Sequence, residues 1–222
     1  MNYQPFESRA AKDLSQAGNV FPLSLDNRSE QCAGQLHLNL RLGGKRICYA
    51  YIRKNGCSSF KAALGYAPDT RISEIARRHR TQWYHRHDAT IFVWRDPVER
   101  MVSLYRNKIL DGHGAEDLVA RYLAVMGEAP STLTRFLEFA SLGGDPHCLP
   151  QVDHLRPIVY THAIPLYGLH DAMLHLVGST AARAFRHRFN QSRPTPVEVT
   201  ESDRKFVRQI YAVDYKMLDR IG

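Results

Sequence analysis

The stretch Ile91-Phe92-Val93-Trp94-Arg95-Asp96-Pro97-Val98-Glu99-Arg100-Met101-Val102-Ser103 decides how the chain folds. Its apolar, β-prone start, from Thr90 to Trp94, reads as a buried strand. Asp96 is then a good N-cap, Pro97 suits the first helical position, and Glu99 completes a capping box. Val98, Met101, Val102, Tyr105 and Ile109 recur at helical spacing and give the helix one buried face. Ser103 falls off that stripe, roughly 10 Å along the axis from Asp96 at about 1.5 Å per residue. Arg95 stands at the junction, and a long side chain lying beside the helix covers much of that distance. A plainer reading of the same residues pairs Arg95 with Glu99 and leaves Ser103 to solvent.

A second strand-to-helix unit lies upstream. Ile47 to Ile52 is a short β-rich run, and Arg53-Lys54-Asn55-Gly56-Cys57-Ser58-Ser59 leads into a helix over Ser58 to Leu64. Gly56 permits a tight turn, and the amides of Cys57, Ser58 and Ser59 sit where a helix N-terminus cradles an anion. Lys54 adds a mobile positive charge, and Ser58 and Ser59 add hydroxyl donors. The nucleotide-binding pattern of Gly, four residues, then Gly-Lys-Ser/Thr is missing. A solvated surface turn is the plainer alternative.

Strands alternating with helices predict an α/β fold, with a mostly parallel central sheet flanked by helices on both faces. Residues 1–45 read as a polar, irregular N-terminal extension, and 46–222 as one domain. Residues 71–87 read as a basic helix. Helices are expected near Glu116 to Met126 and Thr132 to Leu142, and a β pair within Ile158 to Leu169. Asp171 is expected to cap a helix to Val177. Arg183 to Pro196 reads as a basic loop. The last helix starts at the capping pattern Thr200-Glu201-Ser202-Asp203 and buries Phe206, Val207, Ile210, Met217 and Leu218.

Composition narrows the function. The net charge of +8 calls for an anionic partner. No nucleic-acid recognition module accompanies the basic runs, which argues against DNA or RNA. No apolar run approaches the ~20 residues of a membrane helix, and no leader pattern opens the chain. Cys32, Cys48, Cys57 and Cys148 show no metal-type spacing and read as reduced thiols of a cytoplasmic enzyme.

Both strand-to-helix units resemble the carbohydrate (Golgi-type, family 2) sulfotransferases and their bacterial relatives. The family's Pro-Lys-x-Gly-Cys-Thr-Ser segment is matched by Arg53 to Ser59, with Arg53 in place of proline and Ser58 in place of threonine. Its Arg-Asp-Pro-x-x-Arg-x-x-Ser-x-Tyr-Arg-Asn-Lys segment is matched by Arg95 to Lys108. Asp145 to Gln151 looks like the His-x-x-Pro-Gln stretch of bacterial members. Ile164 to Leu169, Asn190-Gln191-Ser192 and Ile210 to Tyr215 also fit. His170 stands where many relatives have glutamate.

The resemblance implies a P-loop-like sulfotransferase fold and the co-substrate 3′-phosphoadenosine 5′-phosphosulfate (PAPS), with no metal. Arg53, Lys54, Asn55, Gly56, Cys57, Ser58 and Ser59 would hold its 5′ end, and Arg95 and Ser103 its 3′-phosphate. Ser192 and Arg193 would close over the nucleotide. Lys54 would neutralise the leaving phosphate oxygen, and His147 would act as general base. His85, His87, His113, His154 and an acidic residue stay open for that second role. The acceptor would be a hydroxyl or amine of a carbohydrate or glycolipid. The chain would be a soluble bacterial form without an integral membrane segment, and peripheral membrane contact and oligomeric state stay open. The competing readings are an ATP- and Mg²⁺-dependent kinase-like phosphotransferase and an inactive nucleotide-binding protein.

Overall fold

The two strand-to-helix units lie side by side. In the computed structural model, which describes residues 22–31, 34–82, 84–143, 145–186 and 196–222, strand β3 (Lys45–Ala50) pairs in parallel with β4 (Ala89–Trp94). β4 pairs in parallel with β6 (His162–Pro165), and β2 (His37–Leu42) joins the other side of β3 antiparallel. The sheet order is β2-β3-β4-β6. A separate two-stranded ribbon joins β1 (Leu25–Asp26) to β5 (Val159–Tyr160).

Both faces of the central sheet are covered, as the near-continuous apolar strands require. Successive side chains of a strand point to opposite faces. Ile47 and Tyr49 of β3, with Ile91 and Val93 of β4, therefore join one cluster. That cluster holds Phe60 of α1 (Cys57–Ala63), Ile75 of α2 (Ile72–His79), and Leu169, Met173 and Leu176 of α6 (Leu169–Ala182). Ala50, Phe92 and Trp94 face the other way and pack with Tyr160 and with Met217 and Leu218 of α8 (Ala212–Leu218). A third cluster joins α3 (Pro97–Tyr105), α4 (Glu116–Met126), α5 (Leu133–Ser141) and α7 (Glu201–Ile210). No helix among the described residues is long and apolar enough to cross a membrane.

Several expectations are corrected. Part of the segment read as an irregular extension, His37–Leu42, is a strand of the central sheet. Leu38, Leu40 and Leu42 alternate with His37, Asn39 and Arg41, the period a half-buried strand needs, and all three leucines enter the core. The basic helix stops at His79 because the next residues turn to pair with that strand. Arg80 bridges Leu38, and the Thr81 amide donates to the His37 carbonyl at 2.9 Å. The two strands expected to pair within 158–169 serve different sheets. Asp171 lies in the first turn of α6 rather than at its cap, because the chain enters that helix through a 3₁₀ turn, Leu166–Gly168. That helix breaks at Gly178, just past the expected end. The last helix is two, parted at Tyr211. Its Thr200–Asp203 capping box is present. At α3 only half the expected box forms: Asp96 accepts from the Glu99 amide at 3.1 Å, while the Glu99 carboxylate goes to Arg95.

Candidate active site

In sheets of this kind ligands bind beyond the carboxyl ends of the parallel strands. The turn after β3 and the start of α3 after β4 meet there. The turn is shaped by its backbone. Gly56 has φ 77°, and a Cβ on it would come within 2.9 Å of Leu169 Cδ2 and 3.1 Å of Leu166 Cδ1. Lys54 is itself left-handed, φ 70°, the only non-glycine residue so placed among those described. A lysine there is strained, by about 1–3 kcal/mol, and such strain gathers at functional sites.

The Lys54 side chain crosses to the neighbouring unit, where Nζ donates to Asn107 Oδ1 at 3.0 Å. Asn107 belongs to a π-helical turn, Arg106–Leu110, that continues α3. Burial, then the charges of Arg95 and Lys108, push the Lys54 ammonium down to about 8. Lys61 and Lys108 are also pushed below the usual lysine range, by burial first and then by neighbouring cations. Arg53 acts on both, and Lys61 acts on Lys108. Lys61 Nζ is held by the carbonyls of Pro68 and Thr70, and Lys108 Nζ by those of His113 and Gly114, so these lysines add positive charge around the turn without entering it, and an anion there would offset part of the cost.

Asn55 is fully buried and welds the turn to the sheet. Its Nδ2 donates to the Val93 carbonyl at 2.8 Å and to Gln151 Oε1 at 2.6 Å. Gln151 also accepts from the Arg95 amide at 3.0 Å and donates to the Arg95 carbonyl at 2.9 Å. Buried Asp214 backs it, taking Gln151 Nε2 at 3.3 Å and the Val152 amide at 3.0 Å. Cys57 Sγ donates to the Ile52 carbonyl at 2.9 Å. Of the three amides expected to face an anion, that of Ser59 donates instead to Gly56 O at 3.0 Å, and Ser59 is buried. Ser58 is half-buried at the start of α1.

Arg95 lies half-buried at the end of β4, with Nε 3.4 Å from Glu99 Oε2. An i,i+4 pair this open is worth only ~0.3–0.5 kcal/mol. A phosphate, with more charge and bidentate geometry, would outcompete Glu99 for the guanidinium. Ser103 lies two turns further along α3, half-buried and off the core-facing stripe.

His147 is brought to the same place by Arg100, which is fully buried. Its guanidinium donates to the carbonyls of Arg53 at 3.3 Å, Leu149 at 2.9 Å and His147 at 3.2 Å. One side chain thereby ties the turn after β3 to the loop carrying His147. Burial holds the imidazole below its ordinary value, with Arg53 and Lys108 adding to the effect and Asp145 opposing it. The other candidate histidines are set apart by position, burial or exposure. His85 and His87 precede β4 and so lie toward the amino ends of the parallel strands, opposite the carboxyl ends where the site lies. His154 is buried, with both ring nitrogens unpartnered and its pKa pushed down to about 3 by burial and by the charges of Arg100 and Arg53. His113 is exposed, and its carbonyl accepts from Lys108 Nζ at 2.7 Å.

The structure therefore brings together Arg53 to Ser59, Arg95 and His147, and sets Ser103 on α3 two turns beyond Arg95. Ser192 and Arg193 lie outside the described residues. Sequence reasoning missed Asn107, Arg100 and Gln151 as working parts of the site, although all three stand inside the quoted motifs. No group of three or more His, Cys, Asp or Glu side chains suited to a metal occurs among the described residues.

No curated protein and no solved structure matches the chain. A family model described as "Sulfotransferase family" matches residues 42–165, more than half of the chain. This range contains both strand-to-helix units and the His147 loop, so the match covers every described part of the site. The family implies PAPS as donor, and the crowded lysines, with Arg95 at the end of β4, suit such a polyanion. The chain belongs to the carbohydrate sulfotransferase family and is a sulfotransferase.

Proposed function

We propose that this sulfotransferase moves a sulfuryl group from PAPS to a hydroxyl, or an amine, of a carbohydrate or glycolipid, with Lys54 and His147 as its catalytic residues. The observation that carries the reading is Lys54 in the turn after β3, left-handed and with its Nζ held by Asn107 Oδ1 at 3.0 Å, amid the positive charges of Arg95 and Lys108. A folded chain keeps such a cluster at a cost, and a bound polyanion offsets that cost.

PAPS supplies a sulfuryl group attached to a phosphate leaving group. Positioning and charge stabilisation then do most of the work, by analogy with phosphoryl transfer. Asn107 holds Lys54 Nζ in place, and Lys54 meets the charge that grows on the leaving oxygen. Asn55, Gly56, Cys57, Ser58 and Ser59 shape the turn around the 5′ end, with Arg53 adding charge beside it. Arg95 and Ser103 take the 3′-phosphate, the group that separates PAPS from ATP. Ser192 and Arg193 complete the nucleotide side. His147, neutral at pH 7 because burial and the nearby cations lower its pKa, accepts the acceptor's proton. Arg53 and Lys108, which act on His147 electrostatically, would favour an acceptor that carries acid groups of its own. Free thiols at Cys48, Cys57 and Cys148 support a reducing, cytoplasmic setting.

The test is transfer of radiolabelled sulfate from PAPS to a panel of neutral and acidic glycans, with EDTA present and adenosine 3′,5′-bisphosphate measured as co-product. Lys54→Ala should abolish transfer while leaving most bisphosphate binding. Equal loss of both would remove Lys54 from its assigned role. Normal turnover of His147→Gln across pH 6–9 would remove His147.

A further inference from the structure

Asp145 is almost completely buried, 3% exposed, two residues before His147. A buried carboxylate needs partners, and this one finds its two closest on a single residue. Its Oδ1 accepts from the His147 backbone amide at 2.8 Å and lies 2.7 Å from His147 Nδ1. Its Oδ2 lies 3.4 Å from Arg121 Nη1, on α4. Burial pushes the Asp145 carboxyl up, but the two bonds to His147 and the charges of His147 and Arg121 outweigh it and hold the group below its usual value. Asp145 is therefore a carboxylate at neutral pH, and a carboxylate only accepts hydrogen bonds. The neutral imidazole must then carry its proton on Nδ1. No described residue hydrogen-bonds Nε2 of the 26%-exposed ring, so the basic lone pair is left there for a substrate.

The geometry points to Asp145 as the positioning residue of the acceptor-side base: it fixes the Nδ1–H tautomer of His147 and aims Nε2 at the acceptor hydroxyl. Two independent contacts hold His147, since Asp145 takes its ring and amide while Arg100 on α3 takes its carbonyl. Other charges reach the ring from the turn after β3, through Arg53, and from the π-helical turn, through Lys108. Both lower its proton affinity, and Asp145 opposes them. This inference rests on the proposed role of His147 as base and names the group through which that role is set.

The direct test is ¹⁵N NMR of the imidazole in the full-length protein without substrate. Wild type should show the Nδ1–H tautomer, and Nε2–H in the wild type would overturn the proposal without any variant. Asp145→Ala should lower kcat about 10–100-fold with donor KM and bisphosphate affinity within about twofold. It should also move the acid limb of kcat to lower pH, because the carboxylate that supports protonation is gone. Asp145→Asn keeps an oxygen for Nδ1–H but no charge, so it should recover part of kcat while the limb stays shifted. In the Asp145→Ala/His147→Gln pair, the second change should add nothing to the loss from His147→Gln. If His147→Gln is inert, the base assignment itself fails. If His147→Gln is dead but Asp145→Ala matches wild type in kcat, limb and tautomer, the positioning role alone falls.

Discussion

The turn proposed to hold the donor and the loop proposed to carry the base meet through Asn55 and Gln151 but are shaped by different means. The turn, Arg53 to Cys57, takes its form from the backbone: two consecutive-but-one left-handed residues, Lys54 and Gly56, set the path between β3 and α1. The loop, Asp145 to Gln151, is held by side chains from distant parts of the chain, above all Arg100 from α3 and Asp214 from α8. A backbone-built site writes itself into a short motif. A side-chain-built one is spread over residues far apart in sequence, whose partners only the fold reveals.

Arg100 joins the two regions: among the described residues it is the one side chain that donates to carbonyls of each. Arg100→Met leaves three part-buried carbonyls without their donor and should cost about 3–5 kcal/mol, seen as a lower urea midpoint. It should weaken bisphosphate binding and turnover together. A variant that loses turnover but keeps donor affinity would show that the turn stands without its tie to the loop.

Lys54→Met sharpens the donor side. Removing one preorganised charge from a leaving oxygen should lower kcat about 100–1000-fold, roughly 2.7–4 kcal/mol. The same change should stabilise the free protein. The folded pKa of Lys54, about 8, lies below the 10.5 of an ordinary lysine, so folding disfavours the charged form. That cost is fully present below pH 8 and disappears as pH rises toward 10.5, the window in which the unfolded chain binds more protons. The gain should therefore be on the order of 1–3 kcal/mol at pH 7 and fade across that window, as chemical unfolding at several pH values would show.

Gly56→Ala attacks the backbone itself. A left-handed alanine costs about 1–2 kcal/mol, and its Cβ would sit 2.9 Å from Leu169 Cδ2. Thermal unfolding should show that loss, and bisphosphate titration should show weakened binding. The tautomer of His147 should not change, because the loop is held by other atoms.

How much of this was legible follows the same division. Asp96 and Pro97 announced α3, and Thr200 with Asp203 announced α7, because caps are local chemistry. Gly56 announced the turn. Strand β2 was also legible, in the alternation His37-Leu38-Asn39-Leu40-Arg41-Leu42, but polar surroundings masked it. Nothing local could reveal that Asn107 would hold Lys54, that Gln151 would bind Asn55 and Arg95, or that α2 would end where Arg80 meets Leu38. Those contacts join residues 42 to 96 positions apart, or elements whose meeting depends on sheet order. Only the Asp145–His147 pair was close enough in sequence to have been seen, as an acid two residues before the histidine.

The pH profile gives the smallest expected effect. In kcat/KM for the donor, a basic limb should appear near pH 8, where Lys54 of the free enzyme loses its proton. In kcat the limb should lie higher, because a bound anion favours the charged lysine. Coincident limbs would detach Lys54 from the donor.

The central claim is that the two strand-to-helix units hold opposite ends of one 3′-phosphorylated nucleotide, and thermal unfolding with added nucleotide tests it most directly. Adenosine 3′,5′-bisphosphate at a hundred times its Kd should add ~2.7 kcal/mol, a rise of roughly 5–10 °C for a chain of this size. ADP, and ATP with Mg²⁺, should give little. The rise should vanish in Arg95→Ala/Ser103→Ala. An equal or larger rise with ATP and Mg²⁺, or one that survives loss of Arg95 and Ser103, would contradict the account.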